Sequence, residues 1–283
     1  MPLFIASLNS GSNGNAYYVG NESEAVLVDA GISCRETERR MHALGLDMQK
    51  VKGIFISHEH SDHITGLAGL SKKFQLPVYI SHHTHASCGL PLDSSLVKFF
   101  NRQDRFTIGG LQIKTFPKFH DAADPHSFVI SDNGIHVGVF TDIGHCCTEV
   151  IRHFQHCHAV FLESNYCDTM LEKGRYPYYL KKRIRSDRGH LSNDQALELF
   201  IHSRAAHLSH LILSHLSKNN NCPDLVNRMF SEHAGNTTIT VASRYESTDV
   251  FEVSGAPVVF PEMVLPKTRL RRPAAPQLQL SLF

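Results

Sequence analysis

Between Ile54 and His63 the sequence passes from the apolar run Ile54-Phe55-Ile56 to His58, His60, Asp62 and His63. The apolar run reads as a buried strand. Three imidazoles and a carboxylate crowded on the turn that follows are hard to explain as packing, because burying them without a partner is costly. Metal ions supply that partner, and neutral imidazoles with a carboxylate suit Zn²⁺, Mn²⁺ or iron. One turn cannot easily aim four ligands at a single ion, but it can serve two adjacent ions. The plain alternative is a polar, His-rich surface loop.

Composition narrows the setting. His accounts for 20 of 283 residues, so position must separate ligands from the surface and packing histidines. The formal net charge of +1 gives no argument for or against nucleic acid, which local clusters must decide. The seven Cys form no Cys-x-x-Cys pair, which excludes a zinc-finger pattern, and their odd number speaks against a disulfide framework. Neither a leader-like start nor an apolar stretch of about 20 residues is visible. The expectation is a cytoplasmic protein with mostly buried thiols.

Strands are expected at Leu3 to Leu8, Ala16 to Val19, Ala25 to Val28, Ile54 to Ile56, Val78 to Ile80, Leu111 to Phe116, Ser127 to Ile130, Ile135 to Phe140, Ala159 to Leu162, Leu211 to Leu213 and Thr237 to Val241. Ser33 with Glu36, and Ser192 with Gln195, read as capping boxes opening helices; Gly45 stops the first, and the second runs to about Ala206. A helix is expected from His63 to about Phe74 and another from Pro223. Many strands with interleaved helices and polar motifs at strand ends suggest two packed sheets with helices outside, an α/β fold. Residues 1–255 read as one hydrolase domain. Residues 256–283 read as a Pro-rich basic tail.

The His-x-His-x-Asp-His motif after an apolar strand resembles the signature of the metallo-β-lactamase superfamily. Asp29 in Val-Leu-Val-Asp-Ala-Gly, His120 in Lys-Phe-His-Asp-Ala-Ala-Asp-Pro, Asp142 in Phe-Thr-Asp-Ile-Gly and His215 in Leu-Ser-His-Leu-Ser follow in the expected order. Gly11-Ser12-Asn13-Gly14-Asn15, the segment from His120 to Pro125, Glu163-Ser164-Asn165 and Gly189-His190-Leu191-Ser192-Asn193 look most like the YycJ/WalJ-like branch, regarded as nucleases. The resemblance implies an αββα sandwich and two divalent ions. His58, His60 and His120 would hold the first, Asp62, His63 and His215 the second, with Asp142 bridging. Asp29 would orient ligands rather than bind metal. His126 reads as structural, and His145 as a possible lining residue.

Two ions about 3.5–4 Å apart hold a phosphoryl or acyl oxygen and offset its developing charge. Besides the ligand Asp62, the candidate catalytic groups are His190 and Glu163. They resemble the Glu–His pair of the related tRNA 3′-processing endonucleases, with Glu163 orienting His190 and His190 protonating the leaving oxygen. Their plain alternatives are a strand-end charge and a helix-entry residue.

The candidate substrate contacts are Ser12 and Asn15 in the glycine loop, which offers backbone N–H groups to a phosphate or is simply a turn, and Lys182 and Arg185 in the basic run before His190. Tyr176, Tyr178 and Tyr179 read as base-stacking or packing residues. The leading reading is a DNA exonuclease in replication or repair. The alternatives are a small-molecule hydrolase of a cyclic phosphodiester, thioester or lactone, and a metal-binding protein without turnover. Finally, Gln279, Leu280, Leu282 and Phe283 resemble the Gln-Leu-x-Leu-Phe peptide that docks on the bacterial sliding clamp, or are a chance match.

Overall fold

A computed structural model describes residues 1–259. The terminal peptide and most of the expected tail lie outside the described residues. The first sheet gathers β1 (Leu3–Asn9), β2 (Ala16–Gly20), β3 (Ala25–Val28), β4 (Val51–Phe55), β5 (Val78–Ser81) and β6 (Val97–Phe100). The second gathers β7 (Arg105–Ile108), β8 (Leu111–Pro117), β9 (His126–Asp132), β10 (Ile135–Phe140), β11 (Ala159–Glu163), β12 (His210–Ser214) and β13 (Thr238–Val241). A last strand, β14 (Phe251–Val253), returns to pair antiparallel with β1, so that each sheet has seven strands among the described residues.

Both sheets change character halfway across. β1 to β3 are antiparallel and β3 to β6 parallel; β7 to β10 are antiparallel and β10 to β13 parallel. The parallel halves need helical crossovers, which cover the outer faces. Outside the first sheet run α1 (Cys34–Ala43), α2 (Ser61–Ile64), α3 (Leu67–Phe74) and α4 (His82–Cys88); outside the second, α5 (Thr148–Phe154), α6 (Asp168–Lys173), α7 (Tyr178–Ile184), α8 (Asn193–Ser203) and α9 (Pro223–Ser231).

Strand alternation builds three apolar layers. Ile5, Val28, Phe55, Phe128, Val139, Phe161 and Ile212 fill the space between the sheets. Ala6, Leu27, Ile54 and Ile80 meet Met41, Leu67 and Leu70 on the first outer face. Val160, Leu162 and Leu213 meet Phe154, Phe200 and Phe230 on the second. These layers make the expected αββα sandwich.

Local chemistry differs from expectation in three places. The Ser33 side chain accepts the Glu36 amide, but the Glu36 carboxylate turns to Arg39 and Arg40 instead of closing the capping box. The helix after His63 is broken into α2 and α3 because Gly66 is pressed against the preceding loop: its N–H donates to Ala30, and an added Cβ would lie 2.0 Å from the Ile32 carbonyl oxygen. The edge strands β6, β7 and β14 lie outside the strands expected from the sequence. The Ser192–Gln195 box is complete, and its helix ends at Ser203.

Candidate metal centre

The polar motifs collect at the carboxyl ends of the parallel strands, where open α/β sheets bind ligands. Asp29 follows β3, His58 lies just past β4, Asp142 follows β10, Glu163 ends β11 and His215 follows β12. Three of these leave the strand in the left-handed region, with φ of 62° at Asp29, 53° at Asp142 and 59° at His215. That conformation is unfavourable for any residue with a Cβ, and it turns each side chain inward.

Hydrogen bonds on the far side of the rings fix which nitrogen each histidine presents. His63 donates from Nδ1 to Asp29 Oδ2 at 2.7 Å. His120 donates from Nδ1 to the Gly189 carbonyl at 3.0 Å. His215 donates from Nδ1 to Glu163 Oε1 at 3.0 Å. Ser57 Oγ donates to Asp29 Oδ2 at 2.8 Å and accepts from His58 Nδ1 at 2.8 Å, so Asp29 also reaches His58 through a hydroxyl. Four rings therefore turn a bare Nε2 into the centre.

Two donor groups result. His58 Nε2 lies 3.1 Å from His60 Nδ1, and His120 Nε2 lies 3.4 Å from the same atom. In the second group, Asp62 Oδ2 lies 3.4 Å from His215 Nε2 and 3.5 Å from His63 Nε2. Asp142 stands between them: Oδ2 is 3.2 Å from His63 Nε2, and Oδ1 is 3.5 Å from His215 Nε2 and 3.9 Å from His120 Nε2. Nitrogens at a Zn–N distance of 2.0–2.1 Å in a tetrahedron stand about 3.3 Å apart, so both spacings suit a bound cation. Without one, lone pairs of His58 and His60 would face each other, and Asp142 Oδ2 is buried with no hydrogen-bond donor. All the donors are nitrogen or oxygen. The donor chemistry of the clusters suits a divalent metal ion.

The electrostatics agree. Burial alone would push protons off His215, but Asp142, Asp62 and Glu163 beside it raise its pKa to about 10. His63 is likewise opposed by burial and raised by Asp142, Asp29 and Asp62. The carboxylates around the second group thus favour positive charge there, which a bound divalent ion would supply to neutral imidazoles. In the first group, burial lowers His58 well below the ordinary range and His120 to about 3, keeping both neutral as ligands must be.

Glu163 is fully buried and joins the centre to His190. Its Oε1 accepts from His190 Nδ1 at 2.7 Å as well as from His215, and its Oε2 accepts the amides of Ile143 at 2.7 Å and Leu191 at 3.2 Å. Burial raises its pKa, yet His190 and the hydrogen bonds from His190 and His215 hold it at about 2. The His190 side chain is 20% exposed, with Nε2 unused by these bonds.

Other expected contacts fall elsewhere. In the Gly11–Asn15 loop the amides of Gly11, Gly14 and Asn15 are bonded to Asn15 Oδ1, Gly11 O and Asp62 O. Asn15 is fully buried and directs its amide at Asp62 Oδ2 and His63 Nε2, both at 3.2 Å, while Ser12 is exposed. Arg185 turns away from the centre to Glu172 and Asp168, and Lys182 is exposed; Arg183 pairs with Asp121 beside His120, and Arg188 lines a cavity that His120 also lines. Tyr178 and Tyr179 are exposed, whereas the Tyr176 hydroxyl accepts from Asn219. His126 is buried against Phe100 and belongs to neither donor group. His145 packs on Phe119 at 4.5 Å.

Four residues escaped the sequence reading: Ser57, Asp121, Asn165, whose amide donates to the His215 carbonyl at 2.8 Å, and Lys118, a buried lysine donating to Thr141 O at 2.7 Å directly before strained Asp142. Ser57 and Asp121 adjoin ligands in sequence, which was the available signal.

A β-sandwich with helices on both faces and imidazole–carboxylate clusters at its strand ends defines a metallohydrolase-type architecture. The family model for the Beta-lactamase superfamily domain matches residues 24–215, and the chain belongs to that superfamily. It is 34% identical to "Exodeoxyribonuclease YycJ" of Bacillus anthracis over 88% of this chain and 96% of that protein. It is 28% identical to "Exodeoxyribonuclease WalJ" of Streptococcus pneumoniae serotype 2 over 89% and 95%. Among solved structures, the metallo-beta-lactamase fold protein YhfI from Bacillus subtilis superposes with a TM-score of 0.69 at 16% identity, covering 89% of this chain and all of that one.

Proposed function

We propose that this chain is a two-metal DNA exonuclease acting in replication or repair. It is a metal-dependent nuclease by its relatives and its superfamily. The observation that carries the reading at the residue level is the Glu163–His190 pair at 2.7 Å, set against two donor groups that share Asp142.

His58, His60 and His120 would hold one ion, Asp62, His63 and His215 the other, and Asp142 would contact both. Zn²⁺ or Mn²⁺ suits this donor set, and iron is compatible with it. Bound there, the ions supply positive charge that polarises the scissile phosphate and acidifies the attacking water. The protein does the rest. Asp29, directly and through Ser57, holds His63 and His58 in the ligand tautomer. Asn15 braces Asp62. Glu163 fixes His215 and His190 together, which leaves His190 Nε2 to deliver a proton to the leaving oxygen.

The test is a panel of end-labelled single- and double-stranded DNA and RNA with Mn²⁺, Zn²⁺ and Mg²⁺, run beside bis-p-nitrophenyl phosphate. Stepwise loss of nucleotides from DNA ends is expected. Hydrolysis of the small diester with DNA left intact would instead select the small-molecule reading.

The terminal Gln279, Leu280, Leu282 and Phe283 add a partner to the proposal, resting on sequence alone. Leu282 and Phe283 would fill an apolar pocket of the sliding clamp, with Gln279 at its rim. A labelled peptide of the last twelve residues is expected to bind the clamp saturably at tens of micromolar or below. Binding unaffected by replacing Leu282 and Phe283 with alanine would end the idea. Among the described residues no helix is long and apolar enough to cross a membrane.

A further inference from the structure

A cavity of about 420 Å³ opens beside the donor clusters, with Lys118 and His120 among its walls. Arg102, Arg188 and Phe119 also line it. A somewhat larger cavity, about 470 Å³, lies by Met1, Asp132 and His136 at the opposite ends of the strands and contains none of the donors. The smaller one is of the size that takes a small ligand.

Its walls are built rather than incidental. Phe119 is 46% exposed, yet its ring is backed by His145, which is itself tied to the Asp187 carbonyl at 3.0 Å. The Phe119 carbonyl accepts the Gly144 amide at 2.7 Å. Gly144 permits the chain at Arg188 to close in: a Cβ there would lie 2.1 Å from the Asp187 oxygen and 2.6 Å from the Arg188 Cα. On the other side of Arg188, the Gly189 carbonyl is held by His120 Nδ1. Arg188 is therefore clamped by its backbone to a member of the first donor group.

The charges point to an anion. Arg183 is neutralised by Asp121, and Arg185 by Glu172 and Asp168. Arg102 and Arg188 pair with no acid among the described residues. Of the two acids in the wall, Glu149 faces Arg152 and His153 of its own helix, at 3.8 and 3.6 Å, and Asp124 stands without an ion pair among the described residues. An exposed aromatic ring beside two unpaired guanidiniums is the chemistry that takes a base and a phosphate of a single strand.

We propose that this cavity seats one nucleotide of the DNA strand beside the bond to be cleaved, its base against Phe119 and its phosphate at Arg188 and Arg102. The proposal rests on the nuclease reading and deepens it: the pocket makes a polynucleotide a better substrate than a small diester. It also places the strand on the His120 side of the centre, away from the Gly11–Asn15 loop.

Arg188→Ala, Phe119→Ala and Arg102→Ala test this in the full chain, with Arg188→Lys as the conservative variant. Each alanine variant is expected to raise KM for a short single-stranded DNA by about tenfold. The kcat, the bound metal and hydrolysis of bis-p-nitrophenyl phosphate should stay within about twofold of wild type. Anisotropy of the labelled strand in EDTA should show the same weakening without turnover, partly restored in Arg188→Lys. DNA cleavage by wild type with KM unchanged in all three variants overturns the pocket and leaves the nuclease standing. Parallel loss of metal and of small-diester hydrolysis in Arg188→Ala and Phe119→Ala, with Arg102→Ala silent, also overturns it. Intact DNA with wild type while the small diester is consumed overturns the nuclease reading and the pocket together.

Discussion

Replacement of Asp142 by alanine is expected to strip metal from both positions and to lower turnover by at least about 10³-fold, the size of effect that losing several kcal/mol of metal-derived stabilisation produces. Asp142 faces both donor groups, with one oxygen 3.2 Å from His63 and the other 3.5 Å from His215 and 3.9 Å from His120. Removing it leaves two sets of imidazoles without the anion that joins them. His60→Ala touches one group only, so it should empty that position first, with turnover falling alongside. Metal content per chain, measured after loading with Mn²⁺ or Zn²⁺, separates the cases. An Asp142→Ala protein that retains two ions and more than a tenth of wild-type turnover would show that the bridge is dispensable.

The second large effect divides His190 from Glu163. His190→Ala should keep both ions and lose at least about 10²-fold in turnover, the usual contribution of a general acid. The loss should be greatest for substrates with a poor leaving group, since a good one departs without a proton. Glu163→Gln should do more harm. Its carboxylate accepts from His190 and His215 through one oxygen and from two amides through the other. The substitution puts an NH₂ group where one of those pairs of donors now points, so metal affinity should fall by about 10–100-fold along with turnover. Equal metal loss in the two variants would make His190 a structural residue rather than an acid.

The legibility of this site in the sequence followed chain distance. His58, His60, Asp62 and His63 lie within one turn, and a strand delivering them could be read directly. His120, Asp142 and His215 became readable through the order of motifs, since isolated histidines in a His-rich chain carry little weight. The Glu163–His190 contact joins residues 27 apart and rested on resemblance. For Ser57 the one signal, adjacency to His58, is weak until Asp29 is seen on its other side. In the basic run the spacing does not say which cation faces which way: α7 is one short helix, and its turn sets Arg183 toward Asp121 while Arg185 goes to Glu172. In the Asn15 loop three amides are bonded within the fold, which composition does not reveal. The apolar layers were legible only as buried runs: Leu211-Ile212-Leu213 of β12 is apolar on both faces, and packing alone assigns Ile212 to the inner layer and Leu211 and Leu213 to the outer.

The three left-handed residues give this protein a built-in conflict between durability and work. Asp29, Asp142 and His215 each hold a conformation costing on the order of 1 kcal/mol, out of a total stability of about 5–15 kcal/mol for a typical domain. Glycine at any of them would relax the chain. At Asp29 the surroundings outweigh that relief, since glycine would leave the Ser57 amide, the Ser57 hydroxyl and His63 Nδ1 buried without their acceptor, at about 1–3 kcal/mol each. The strain makes Asp142 and His215 sensitive markers in laboratory populations: glycine accumulating there reports that selection for turnover has been lost.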